Sequence, residues 1–297
     1  MKVLGIEENF LAVGEELSSF EQSGVVIQSL PYEYTSSYHS GSAKGPEAIL
    51  KASHFVELFD EEVDFETIKR TGGIATLPAL DFGDKVDADA IELIRSHTVD
   101  LLKLEKFVVS LGAEHTVTLG IIQAFKEFFK DFCILQIDAH SDLRASYNDN
   151  IYSHASVMAR CLELGVPITQ VGIRAQSIEE RKVCRTHDHV HTFYAHEVHE
   201  NEDWVKDVLR TLKKKVYVTL DADGFDPSVI PSVGTAEPNG LTWKQGTDLL
   251  KKVAKKHEII GFDLVEVMPR EGDTLSEYTC AKLIYRLLGY IFQNKNH

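Results

Sequence analysis

Apolar residues along this chain gather into short continuous runs rather than alternating ones. Seven runs read as strands: GVVIQSL (24–30), KFVVSLG (106–112), FCILQID (132–138), ITQVGIR (168–174), VHTFYA (190–195), KVYVTLD (215–221) and IIGFDLVEV (259–267). A continuous apolar strand is one buried on both faces. Between the strands lie stretches with helical character: GPEAILKASHFVELF, DADAIELIRSHTVDLLKL, TVTLGIIQAFKEFF, SHASVMARCLELG, NEDWVKDVLRTLKKK and WKQGTDLLKKVAKK. Pro46 sits well in a first helical turn, where its missing N–H costs nothing. Strand-helix alternation predicts an α/β fold, a three-layer α/β/α sandwich on a mostly parallel sheet. No repeat, low-complexity segment or Pro/Gly/Ser linker divides the chain, so residues 1–297 are expected to form a single domain.

Charge narrows the function. Lys and Arg total 31 against 46 Asp and Glu, a formal net charge of −15. Such a surface repels phosphate backbones and anionic lipid and steers cationic ligands inward, so neither nucleic acid nor membrane is an expected partner. Cys133, Cys161, Cys184 and Cys280 are widely spaced and read as free thiols. The first residues carry acids where a secretory leader needs basic and then apolar ones. No apolar run approaches the ~18 residues of a membrane span. The expected location is the cytoplasm.

Sites in parallel sheets lie beyond the carboxyl ends of the strands. There KFVVSLG runs into AEHT, with Glu114 and His115, and FCILQI runs into DAHSD, with Asp138, His140 and Asp142. KVYVTL runs into DADGFDP, with Asp221, Asp223 and Asp226, and IIGFDLVEV ends near Glu266. One acidic strand end is an ordinary turn. Four, delivering carboxylates and imidazoles to one edge, suit two metal ions ~3.5–4 Å apart. Asp138, Asp142, Asp221 and Asp223 balance two divalent cations, and neutral His115 and His140 add donors without charge. Mixed imidazole and carboxylate ligation suits Mn, and less exclusively Zn, Co or Ni. Cations so placed lower the pKa of water enough to yield a hydroxide near neutral pH.

The segments LGAEHT, DAHSD and LDADGFDP resemble the three metal-binding signatures of the ureohydrolases, the arginase and agmatinase family. LPYEYTSSYHSGSAKGPEAILKAS, VGTAEPNGLTW and GFDLVEVMP resemble further agmatinase blocks, so the likeness runs from about Gly24 onward, in order. It implies an arginase-like sandwich with eight strands and two Mn ions per chain. One ion would be held by His115, Asp138, Asp142 and Asp221, the other by Asp138, His140, Asp221 and Asp223, with Asp138 and Asp221 bridging. It further implies attack of a bridging hydroxide on a guanidinium carbon, releasing urea and an amine. Asp142 would orient the hydroxide. Glu266 falls where the family pairs a carboxylate with the guanidinium, and His154 at the family's mobile, proton-handling histidine. Trimers or hexamers are usual for the family. Two positions depart from its pattern: Ala113 replaces the usual second glycine before the acid-histidine pair, and Ala155 replaces a common glycine after His154.

Other features have plainer readings. Asp226 before Pro227 reads as a turn residue, and Glu114 as a group orienting His115 or its loop. The tract HDHVHTFYAHEVH, with His187, His189, His191, His196 and His199, reads as a polar strand edge rather than a metal site. HSGSAKGP lacks phosphate-loop spacing and reads as a turn near the site mouth. The loop LRASYNDNIYSHAS does not match the arginase pattern that holds an amino-acid head group. That favours agmatine, cleaved to putrescine and urea, as substrate, with aminopropyl-agmatine, guanidinobutyrate and arginine as alternatives. Asp149 or Glu237 is expected to meet the terminal ammonium. A one-zinc deacetylase or a silent homologue would need fewer ligands than the six present.

Overall fold

The computed structural model describes residues 1–293. Its centre is one eight-stranded sheet, all of whose pairings are parallel. The strands in chain order are β1 (Val25–Leu30), β2 (Ile74–Thr76), β3 (Phe107–Gly112), β4 (Cys133–Ile137), β5 (Ile168–Ile173), β6 (Val190–Tyr194), β7 (Lys215–Asp221) and β8 (Glu258–Val265). Their spatial order is β2-β1-β3-β8-β7-β4-β5-β6. The four strands whose ends carry the candidate ligands, β3, β8, β7 and β4, are therefore the four central neighbours. At ~4.8 Å between strands their ends span only about 14 Å.

Alternate residues of each strand enter two cores. One packs Val25, Ile27, Leu135, Val218 and Leu264 on one face; the other packs Val26, Val108, Ile134 and Tyr217 on the opposite face. Helices α1 (Gly45–Ser53), α2 (Asp87–Lys103), α3 (Val117–Phe128), α4 (Val157–Glu163), α5 (Ile178–Thr186), α6 (Trp204–Thr211), α7 (Trp243–Lys256) and α8 (Leu275–Phe292) cover the sheet. Three-layer architecture is thus as expected. Three elements are new. β2 is only three residues long and followed by Pro78, too short to register as an apolar run. α5 opens with a Ser177–Glu180 capping box. α8 is buried along nearly its whole length, with Arg286 inside it satisfied by buried Asp60.

Each central strand also places one polar side chain at the same level of the second face. Gln28 of β1 pairs in register with Ser110, Ser110 with Asp263, Asp263 with Thr219, and Thr219 with Gln136. Gln136 then pairs with Gln170, and Gln170 with Thr192. All but Thr192 are fully buried, and they are satisfied by one another or by helix side chains. Gln28 Nε2 donates to Ser110 and to Thr98 of α2, Thr118 of α3 donates to Asp263, and Gln170 Nε2 donates to Gln136 Oε1. This polar row lies one layer below the carboxyl ends of the strands.

Candidate metal centre

His115 follows β3 and is 1% exposed. Its Nε2 is 2.9 Å from Thr219 Oγ1, which in turn donates to Asp263 Oδ1 at 2.6 Å. A hydroxyl that spends its hydrogen on a carboxylate accepts from the ring, so Nε2 carries a proton and Nδ1 is the nitrogen left free to act as a ligand. That Nδ1 is buried and has no aligned hydrogen-bond partner. Three carboxylate oxygens nevertheless surround it: Asp142 at 3.0 Å, Asp138 at 3.1 Å and Asp221 at 3.4 Å. A second group forms around His140, whose Nδ1 is 3.0 Å from Asp223 Oδ2 and 3.7 Å from Asp138 Oδ1. Donor atoms of His115, Asp138 and Asp142, and of Asp138, His140 and Asp223, each lie within 4.8 Å of one another. Asp138 belongs to both groups, and Asp221 lies against the first.

The backbone is bent to bring these groups together. His140 N donates to Asp138 Oδ1 at 2.6 Å, Ala139 N to Asp223 Oδ1 at 3.1 Å, and Asp223 N to Asp221 Oδ1 at 3.0 Å. Gln136 Nε2 donates to Asp138 Oδ2 at 2.7 Å from the polar row below. Asp142 and Glu266 hold left-handed backbones, φ 54° and 66°, which cost a non-glycine residue about 1–3 kcal/mol. Glu266 is pinned there by its N–H to Ala113 O and by its own Oε1, which accepts the His115 N–H at 2.8 Å.

Electrostatics show what the cluster is suited to hold. Burial and the neighbouring Asp138 push Asp142 up to about 7. Burial, Asp223 and Asp138 raise Asp221 well above the carboxylate range, and burial and Glu114 do the same for Glu266. Burial opposes charge on His115, yet the three surrounding carboxylates outweigh it and raise its pKa well above normal. Asp223 alone is lowered, to about 2, because His140 overcomes its burial. Crowded acids that retain protons, around an imidazole nitrogen that holds one among them, fit a pair of divalent cations, which would displace those protons and take His115 Nδ1 as a ligand. His154 is pushed the other way, to about 4, by burial and by His140 and His115. Its ring is neutral at pH 7.

A cavity of about 250 Å³ opens above this cluster, walled by His140, Asp142, His154, Asp221, Asp223 and Glu266 at its floor. Tyr38, His39, Arg144, Tyr147, Gln176 and Glu180 line the outer part. Arg144 lies 3.6 Å from Glu180 and over the Tyr147 ring at 5.2 Å.

All eight residues singled out for the site, the six candidate ligands with His154 and Glu266, therefore converge. Several finer expectations are corrected. Asp149 and Glu237 are not among the residues that line the cavity. Glu114 does not touch the His115 ring; its Oε2 accepts the amide N–H of Tyr34 and Thr35, and its Oε1 the Thr35 hydroxyl. Ala113 is buried without positive φ, so its methyl strains nothing. Asp226 is a turn residue, accepting from Ser228 N and Gly240 N. The histidine-rich tract forms part of β6 and the short helix Ala195–Glu200, and no group able to hold a metal among the described residues includes it. The turn 39–46 does reach the mouth through His39. No helix among the described residues is long and apolar enough to cross a membrane. Sequence reading missed Thr219, Asp263 and Gln136, the groups beneath the cluster.

Comparison with known proteins agrees with this geometry. The family model described as Arginase family matches residues 23–289. An N(1)-aminopropylagmatine ureohydrolase from Synechocystis sp. is 36% identical over 285 residues, covering 93% of this chain and 92% of that protein. An agmatinase from Bacillus cereus is 34% identical over 258 residues, covering 84% of this chain and 86% of its own. The crystal structure of an agmatine ureohydrolase from Thermoplasma volcanium superposes with a TM-score of 0.84 at 28% identity, over 96% of this chain and 94% of that one.

Proposed function

The chain belongs to the arginase family, and on that premise we propose that it hydrolyses the guanidinium group of agmatine with two manganese ions, releasing urea and putrescine. The ligands in this reading are His115, Asp138, Asp142 and Asp221 for one ion and Asp138, His140, Asp221 and Asp223 for the other. The observation that carries it is the buried, unpartnered Nδ1 of His115 facing three carboxylates. Bound, the pair of ions supplies Lewis acidity and a nucleophile at neutral pH.

The chain's own groups do the rest. Glu266, at the cavity floor, pairs with the guanidinium and thereby orients its carbon. Turning a guanidinium and water into urea and an ammonium moves both water protons onto the departing amine nitrogen. His154, neutral and beside the floor, is the group that takes up and returns a proton. Asp142, on the cavity lining, orients the attacking water.

A second reading is that the substrate carries an aminopropyl extension and the product is the corresponding triamine. The name of the Synechocystis relative favours it. So does the outer cavity, where Tyr38 adds an aromatic side chain to the lining while Glu180 and the Tyr147 ring are engaged by Arg144. The test is urea release from agmatine, aminopropyl-agmatine, guanidinobutyrate and arginine by Mn-loaded protein, alongside the bound metal count. We expect two ions per chain and urea from the first two compounds. Two ions with no urea from any guanidine overturns the substrate, and one ion or none overturns the binuclear centre.

A further inference from the structure

Thr35 stands in the loop between β1 and α1, yet it meets His154 from 119 positions later in the chain. Three groups lie within hydrogen-bond distance of its hydroxyl oxygen: Glu114 Oε1 at 3.1 Å, the backbone N of His154 at 3.0 Å, and His154 Nδ1 at 3.0 Å. A threonine hydroxyl offers one hydrogen and two lone pairs. The His154 amide can only donate, so it occupies one lone pair. One hydrogen and one lone pair are then left for Glu114 and the ring.

Glu114 decides the division. It is fully buried, and its Oε2 already gathers the amide hydrogens of Tyr34 at 3.1 Å and Thr35 at 2.8 Å. Burial raises its pKa against the pull of these donors; as the carboxylate it takes the Thr35 hydrogen on Oε1, whereas a protonated Oε1 would donate and give the opposite tautomer, which the ring signal below distinguishes. The last lone pair of Thr35 then requires a donor, and Nδ1–H is the group facing it. We propose that Thr35, oriented by Glu114, is a positioning residue that holds His154 in the Nδ1–H tautomer and presents the Nε2 lone pair to the cavity.

The inference rests on His154 handling the proton in the reading above. In a neutral imidazole one nitrogen donates and the other accepts. With Nε2 as acceptor, the ring can receive a proton of the attacking water as the O–C bond forms. It gives that proton to the amine nitrogen as the C–N bond breaks, then passes the second proton from the oxygen to the same nitrogen, ending neutral. The opposite tautomer would present an N–H and could not take the first proton. It would also leave Glu114 Oε1 without the hydroxyl hydrogen.

Three variants test this. Thr35→Val removes the hydroxyl at nearly constant shape, and Thr35→Ser retains it. Glu114→Gln sets a donating amide against the hydroxyl, turning the Thr35 hydrogen toward Nδ1. The ring nitrogens of His154 are read by 15N NMR of histidine-labelled, metal-free protein, with His154→Gln identifying the signal. Nδ1–H is expected in the wild type and Thr35→Ser, and Nε2–H in Glu114→Gln. In the Mn-loaded enzyme Thr35→Val should lose about a hundredfold in kcat, the scale of a lost proton-transfer group, with KM and bound metal little changed. Thr35→Ser should stay close to the wild type. Should Glu114→Gln disturb neighbouring His115, the comparison of Thr35→Val with Thr35→Ser decides alone. Nε2–H in the wild type, or wild-type kcat in Thr35→Val, overturns the proposal. A wild type that releases no urea sinks the catalytic reading of His154 instead, and the NMR signal still decides the relay.

Discussion

Replacing Thr219 by valine isolates the contribution of the polar row to the metal centre. The side chain keeps its shape but loses two hydrogen bonds, one accepted from His115 Nε2 at 2.9 Å and one donated to Asp263 at 2.6 Å. Thr219 and Asp263 are both fully buried, so neither the ring N–H nor the carboxylate can turn to water. Each orphaned buried group costs about 1–3 kcal/mol, with a carboxylate at the upper end. Asp263 retains Tyr217 at 2.8 Å and Thr118 at 3.0 Å, which holds the total toward about 2–4 kcal/mol. At ~2–4 °C per kcal/mol, scaled from somewhat smaller domains, the melting temperature of the metal-free protein should fall by roughly 4–16 °C. The metal effect is separate. Without an acceptor for Nε2–H, the His115 ring is no longer held in the tautomer that aims its Nδ1 lone pair at the carboxylates. Loss of such a supporting partner weakens metal binding about 10–100-fold. Metal titration by calorimetry and thermal melting of the metal-free protein measure the two quantities independently. Thr219→Ser should restore both. If Thr219→Val binds manganese as tightly as Thr219→Ser, the tautomer argument is wrong, whatever happens to the melting temperature.

Two further predictions concern charge inside α8 and packing beneath the metal cluster. Arg286→Met takes from Asp60 the Nε that donates to it at 2.8 Å, leaving the carboxylate with Lys282 Nζ at 3.6 Å and the Glu62 amide, and should cost about 1.5–3 kcal/mol at pH 7 in guanidinium chloride unfolding. Burial alone would raise the Asp60 pKa, but Arg286 outweighs it and holds it below normal, so the pair's contribution is present above about pH 4 and lost as pH falls further. The gap between variant and wild type should therefore narrow toward pH 3, and a pH-independent gap would refute the assignment. Gly224→Ala would set a methyl carbon 2.7 Å from Asp138 N and 2.8 Å from Ile137 C, backbone that cannot yield. The Asp221–Asp223 turn should be forced away from β4, lowering both metal content and urea release; unchanged metal stoichiometry would show the turn to be more pliant than the contact implies.

The groups that would do chemistry could be read from the chain, and the groups that hold them mostly could not. Asp138, His140 and Asp142 are contiguous, as are Asp221 and Asp223, so local strand-end logic found them before any strand order was known. Glu114 was misjudged because side-chain direction past a strand end depends on the turn. Here the turn sends Glu114 toward the 34–35 loop while His115 goes to the cluster. The left-handed backbones of Asp142 and Glu266 are likewise tertiary, being imposed by contacts such as Glu266 N to Ala113 O. The polar row is the sharper case. It contributes one residue per strand, and only the register of seven strands reveals it as a row. Register is a non-local property, invisible in any single run of apolar residues. Part of it was legible all the same. Residues two apart on a strand share a face, so a strand ending in Asp138 had to place Gln136 beneath that carboxylate, and one ending in Asp221 had to place Thr219 beneath it. A polar residue two positions before a candidate ligand, inside an otherwise apolar strand, is thus evidence about the ligand: burying it is costly unless the layer above supplies it with a partner.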